Sequence, residues 1–320
     1  MKTVVNKLSY TATYTYNKVY TRTMGMVLAI GALFIGTACQ DNLSSTEFSS
    51  GDQAALQIEV NNSIVPDVPS KGMLTGTEFP AASDIGLTVV DASGTTYDGK
   101  TIQNIKYTYN GTFWKAWTSV FLSEVEGTVY AYYPYDETVT DITKVSVDVD
   151  TEKDYMYASE TSTVTSTNNT AELTMKHVLT AVSIKITKGT YTNTGNITAF
   201  TWKSPSAAKT AKLNAKTGEL TNQTGQGEAF DTGITAGSPI SMDDNAKYLF
   251  MAVPTNTSGV LTFTATMDGQ TFEAKTAAIT LLPGKKYQYT LQMDGKAMVV
   301  SAVNITDWSD SNQAPLKPSL

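Results

Sequence analysis

The strongest restriction on the architecture of this chain is an alternation of apolar and polar side chains with a period of two. Ile105, Tyr107 and Tyr109 alternate with Lys106 and Thr108, and Val145, Val147 and Val149 with Ser146 and Asp148. Val182, Ile184 and Ile186 alternate with Ser183 and Lys185, and Leu261, Phe263, Ala265 and Met267 with threonines. Tyr287, Tyr289, Leu291 and Met293 follow the same rule. Successive side chains of a strand point to opposite faces, so each segment offers one face to a core and one to water. That is the pattern of antiparallel β-sandwiches. Three Gly dipeptides punctuate it. Asn110-Gly111, Asp268-Gly269 and Asp294-Gly295 each separate two strand-capable segments. Asn, Asp and Gly tolerate the positive φ angles of tight hairpin turns. Two runs, Val129–Tyr135 and Tyr248–Val253, are apolar without alternation, which predicts central strands covered on both faces.

The N-terminus follows a different logic. Lys2, Lys7, Lys18 and Arg22 precede an apolar run from Met26 to Ile35, with no acid before Asp41. A basic segment, a short apolar run and small residues make a secretory signal; a mature spanning helix needs roughly 20 apolar residues. Gly36-Thr37-Ala38-Cys39 resembles the lipobox of bacterial lipoproteins, with Cys39 as the lipidated first residue of the mature chain and an anchor in the outer membrane. Several acyl chains on one residue would anchor it stably. Residues 1–38 then form the signal peptide and residues 39–52, rich in Ser, Asp and Asn, a polar tether. The Gly/Thr/Asn-rich stretch after a strong strand places a domain boundary near Gly189, within about ten residues. The expected division is an N-terminal β-sandwich over residues 53–189, a C-terminal one over 190–308, and a flexible tail over 309–320 with Pro315 and Pro318.

Composition removes several functions. Without the four basic residues of the signal, 19 of the 23 Lys and Arg face 30 Asp and Glu, a net charge of −11. Nucleic-acid binding needs a basic footprint, so nucleic acid is not expected as a partner. Arg22 is the single arginine, and no guanidinium is left in the mature chain to grip phosphate. His177 is the single histidine and Cys39 the single cysteine. His177, between Met175 and Val178, is expected to be a structural residue bonded to backbone rather than a catalyst. No catalytic residues, metal ligands or cofactors are assigned. Asp243-Asp244 and Asp148/Asp150 could hold Ca²⁺ only weakly, and turn chemistry is the expected role. Trp114 and Trp117 lie three apart and so on opposite faces of a strand, one expected in the core and one at the sheet rim. Tyr130, Tyr132, Tyr133 and Tyr135 are expected to pack.

Several short segments, in order, resemble the fimbrillin-like proteins, type V pilus subunits and surface lipoproteins of Bacteroidetes. They are Phe113-Trp114, Val129-Tyr130-Ala131-Tyr132-Tyr133-Pro134-Tyr135, Asp154-Tyr155-Met156-Tyr157-Ala158 and Met175-Lys176-His177-Val178-Leu179-Thr180. Leu282-Pro283-Gly284-Lys285-Lys286-Tyr287 and Ile305-Thr306-Asp307-Trp308 complete the set. The resemblance implies an all-β fold of two tandem transthyretin-like antiparallel β-sandwiches. It also implies a cell-surface pilus subunit, not an enzyme, whose partners are other pilus subunits and a host or bacterial surface ligand. Assembly in that family implies proteolytic removal of the first strand and its replacement by a strand of another subunit.

The residues supply candidates for each step. Leu56, Ile58 and Val60 alternate with Gln57 and Glu59 as a removable first strand. Lys71, in Ser70-Lys71-Gly72, is the candidate cleavage point, although arginine-specific processing would want Arg there. Val299, Val303 and Ile305, in the last strand-capable segment, are the candidate donor side chains; the uneven order from Met298 to Val303 leaves their register open. A second reading is a glycan-binding surface lipoprotein in which Trp114, Trp117 or Trp202 stacks on sugar. A glycan-active hydrolase using Asp/Glu pairs is the third.

Overall fold

The computed structural model describes residues 53–62, 79–151, 153–158, 161–237, 239–242 and 247–308. Cys39, Lys71, Asp243-Asp244, the tether and the tail lie outside them.

The architecture is all-β. In its first half the strands are β1 (Ala54–Ala55), β2 (Gln57–Asn62), β3 (Asp84–Val90), β4 (Ile102–Tyr109), β5 (Trp114–Ala116), β6 (Phe121–Leu122), β7 (Gly127–Tyr133), β8 (Val145–Asp148), β9 (Met156–Ala158), β10 (Ser162–Val164) and β11 (Thr170–His177). An eight-stranded sheet runs β2-β11-β9-β7-β3-β4-β5, with β10 beside β7, and β1 pairs with β6. Strand β3 is its most deeply covered member: Ile85, Leu87 and Val89 are fully buried, each contributing about 1.5–3 kcal/mol relative to exposure. Gly86 between them cannot carry a side chain, because a Cβ would lie 2.3 Å from the Tyr132 ring. Strand β7 is central, as its apolar run predicts, lying between β3 and β9.

In the second half follow β12 (Thr180–Thr187), β13 (Asn196–Lys203), β14 (Thr210–Leu213), β15 (Leu220–Thr224), β16 (Phe230–Asp231), β17 (Ile240–Ser241), β18 (Lys247–Ala252), β19 (Gly259–Met267), β20 (Gln270–Ile279), β21 (Lys285–Asp294) and β22 (Ala297–Asp307). A sheet β18-β12-β21-β22 faces a sheet β16-β13-β19-β20. Their aromatic side chains interdigitate: Phe200 stacks on Tyr248 at 5.0 Å, and Phe263 meets Tyr289 at 5.2 Å. Burial along β19 alternates strictly, and Asp268 and Gly269, with φ of 46° and 77°, close its hairpin with β20. Asp268 is fixed there by backbone N–H groups. Gly195 and Asn196 donate to its carboxylate, and these bonds hold its pKa below the usual value.

Three features depart from the sequence pattern. Tyr248–Val253 is not a central strand: β18 is the end strand of its sheet, and Lys247, Tyr248, Leu249 and Phe250 are only half-buried. Its continuous apolar run reflects partial cover on each face. Next, two pairs are parallel within otherwise antiparallel sheets, β2 with β11 and β12 with β21; alternation encodes which face is buried but not strand direction. Finally, β8 pairs across to β14, and sheet membership changes between β11 and β12. One hydrophobic cluster accordingly spans Leu56 to Met175, and the other gathers residues from Tyr132 to Trp308.

Candidate functional site

Leu56, Ile58 and Val60 come together on one face at an end strand. Leu56 and Ile58 are 5% and 7% exposed, Val60 is half-buried, and Gln57 and Glu59 between them face solvent. The segment enters its sheet through bonds from Leu56 N to Val120 O and from Gln57 N to Asn169 O, both 2.8 Å. From there, among the described residues, β2 pairs only with β11, in parallel register from Gln57↔Thr170 to Asn62↔Met175. The other end of the same sheet, β5, borders a groove of 680 Å³ shared with β2 and floored by Phe79, Tyr107, Tyr109 and Trp114. Because β2 ends the sheet, departure of this segment breaks the β2–β11 ladder together with the short β1–β6 pair and opens an apolar seat, with no strand inside the sheet displaced.

Strand β22 is a second end strand. It ends its own sheet, paired to β21 from Asp294↔Ala297 to Lys285↔Asp307. Tyr289↔Val303 and Tyr287↔Ile305 are cross-strand pairs, and directly opposed residues share a face. Tyr287 and Tyr289 are buried, yet Val303 and Ile305 are 51% and 48% exposed. Two β-branched side chains thus lie on the core-facing side of an edge strand and stay largely uncovered. A register shift between Thr290 and Leu291 sets Leu291 opposite Val300. Val299, 40% exposed, therefore opposes Gln292 and lies on the other face from Val303 and Ile305. Sequence spacing alone could not show this, since one bulge exchanges the faces of all residues on one side of it.

The far end of β22 is clamped. Trp308 N donates to Gly284 O at 2.8 Å, and the Trp308 ring stacks on His177, 4.3 Å apart and 2° from parallel. His177 is not bonded to backbone, as its strand setting had suggested. Its Nδ1 lies 3.0 Å from Asp154 Oδ1, in a site where Asp154 is fully buried. A carboxylate only accepts, so the Nδ1 proton is directed at it. Lys286, one strand in from Thr306, is buried, and desolvation pushes its pKa down to about 8. An acid in the otherwise apolar Asp154–Ala158 segment was the only signal for this cluster in the sequence. Replacing Asp154 by Ala should cost about 1–3 kcal/mol, the penalty for leaving a buried donor unsatisfied, and should raise hydrogen exchange at the end of β22 first. Denaturant melts and exchange rates measure both; unchanged protection near Trp308 would show that the cluster does not hold the strand.

The remaining candidates are structural or open. Trp202 is fully buried against Phe230 at 4.2 Å, which removes it as a sugar platform. Trp114 is half-buried between Phe79 and Tyr109, each at 5.3 Å. Asp148 accepts from Asp150 N, and Asp150 pairs with Lys209 at 2.6 Å, the turn chemistry expected of them. Trp117 stands 74% exposed.

A family model described as fimbrillin-like matches residues 73–308. No curated protein matches the chain. Among solved structures, a candidate cell adhesion protein from Bacteroides uniformis superposes with a TM-score of 0.60 at 22% identity, covering 80% of this chain and 99% of that one. One from Bacteroides ovatus gives 0.56 at 18%, covering 80% and 98%. A fimbrial protein from Bacteroides vulgatus gives 0.50 at 15%, covering 79% and 99%. At these identities the likeness is one of fold.

Proposed function

Because the chain belongs to the fimbrillin-like family, we propose that it is a structural or accessory subunit of a cell-surface pilus, and that it joins its neighbours by exchanging strands. In this reading β2 is the strand that leaves, β22 is the strand that is given, and cleavage at Lys71 separates the first from the body. The subunit reaches the surface as a lipoprotein held in the outer membrane through Cys39. In this reading the N-terminal sandwich over residues 53–189 receives a strand and the C-terminal one over residues 190–308 gives one.

The observation that carries this reading is the uncovered pair Val303 and Ile305 on the core-facing side of an edge strand. A strand that adds to another sheet supplies backbone hydrogen bonds along its length and alternate apolar side chains for pockets. Strand β22 carries both features at the end of its sheet. The seat of Leu56 and Ile58 offers the matching pockets at another sheet end.

Mass analysis of protein sheared from the native cell surface tests the proposal. The expected species begins just after Lys71 and runs as a ladder of oligomers. Lys71→Ala should leave a full-length lipidated monomer, and Cys39→Ala should move the protein off the outer membrane. Normal fibres built from the Lys71→Ala variant would rule out gating at that position. Normal anchoring of the Cys39→Ala variant would rule out the lipid.

A further inference from the structure

The groups around Trp117 form a preorganised cleft that neither strand exchange nor the cores require. Trp117 follows β5 and lies across β4. Its backbone N–H donates to Lys106 O at 2.9 Å, and its indole Nε1–H donates to Thr108 Oγ1 at 3.1 Å. The Thr108 hydroxyl donates in turn to Asp84 Oδ1 at 2.5 Å. Asp84 Oδ2 holds Lys106 Nζ at 2.7 Å, and that ammonium sits 4.7 Å from the Trp117 ring and 5.5 Å from the Tyr135 ring. The indole is therefore fixed from its edge and faced by a cation, while the residue as a whole is 74% exposed.

Two cavities, of 300 and 430 Å³, meet at Lys106, Tyr135 and Glu137. Together they fall within the usual size of small-molecule sites, about 300–1,000 Å³. Trp117 lines the first and Lys153 the second. Holding a large aromatic rigid and exposed gives no packing energy to the monomer, since its apolar surface stays wet. A single exposed aromatic needs no explanation by itself; one tied at two points beside a cleft of hydrogen-bonding groups does.

We propose that this cleft binds a neutral saccharide, with the apolar C–H face of one sugar ring stacked on Trp117 and its hydroxyls bonded by Glu137 and Lys153. The chemistry argues for that class. Carboxylates and ammonium groups are mixed around the cleft, with Asp84, Asp136 and Glu137 against Lys106 and Lys153, so neither a polyanion nor a polycation is favoured. A ligand must be apolar on one face and rich in hydroxyls at its rim. The two cavities share no lining residue with the groove beside β2 or with β22, so the site is testable on the unassembled subunit and its failure leaves the assembly reading untouched.

The test is calorimetric titration of the purified full chain with cellotriose, chitotriose, maltotriose and lactose, with saturation-transfer NMR to show which ring is stacked. At least one of these should bind. Trp117→Ala should weaken that binding about tenfold or more, the equivalent of losing one good aromatic contact. Trp117→Phe should retain most of it, and Glu137→Gln should weaken it severalfold, with unchanged melting in all three. The proposal is overturned if none of the four sugars binds, or if a bound sugar ignores Trp117→Ala. It is equally overturned if that variant loses self-association without any sugar effect, which would make the cleft a contact between subunits.

Discussion

A Val303→Lys, Ile305→Lys double variant should fold like the parent and build no fibres. The two side chains are about half in solvent within the monomer, and surface substitutions of this kind usually change stability by less than about 0.5 kcal/mol. Once β22 enters another subunit, both would have to sit in closed apolar pockets. Two ammonium groups there would be desolvated without partners, at a cost of several kcal/mol each. Lysine on an edge strand also opposes strand addition directly. Stability thus stays while assembly disappears, a combination that general misfolding cannot produce. Melting curves of the purified monomer and electron microscopy of surface fibres are the two measurements. Fibres of ordinary length and number would remove β22 as the donor. The companion Val299→Lys should have a smaller effect, because the register shift puts Val299 on the opposite face.

Ile184→Asp should instead prevent the second sandwich from folding. Ile184 is fully buried in β12, between Tyr248 of β18 and Tyr289 of β21. An unpaired carboxylate there costs several kcal/mol, against a total domain stability of about 5–15 kcal/mol. The cavity left by the lost isoleucine adds to that cost. Proteolysis of the expressed chain and circular dichroism would show the loss; a cooperative melt near the parent temperature would mean that β12 is not enclosed on both sides. Position 184 is a more decisive site than Lys247 to Phe250 of β18, which are only half-buried.

Reading β strands from this sequence succeeded where burial is one-sided. The alternation over Leu261–Met267 and Tyr287–Met293 reappears residue for residue in β19 and β21. The Asp268-Gly269 hairpin follows from local backbone preference alone. The two continuous apolar runs had the same appearance and different fates, β7 in mid-sheet and β18 at an edge. An apolar run reports how much of a strand is covered, and partial cover from neighbours on both faces gives the same run as full enclosure.

What the sequence determined by itself was therefore local: which segments extend, which face of each is apolar, and where the chain turns. These depend on side-chain spacing and on φ preferences within a few residues. Tertiary structure decided the rest. It set the parallel pairing of β2 with β11, the placement of β12 and β8 in the second body, and the bulge that parts Val299 from Val303 and Ile305. It also brought Asp154, His177 and Trp308 into one buried stack, although Trp308 is more than a hundred residues away from the other two. Strand partners and such clusters depend on contacts between residues remote in the chain, and the period-two pattern carries no record of which edge meets which.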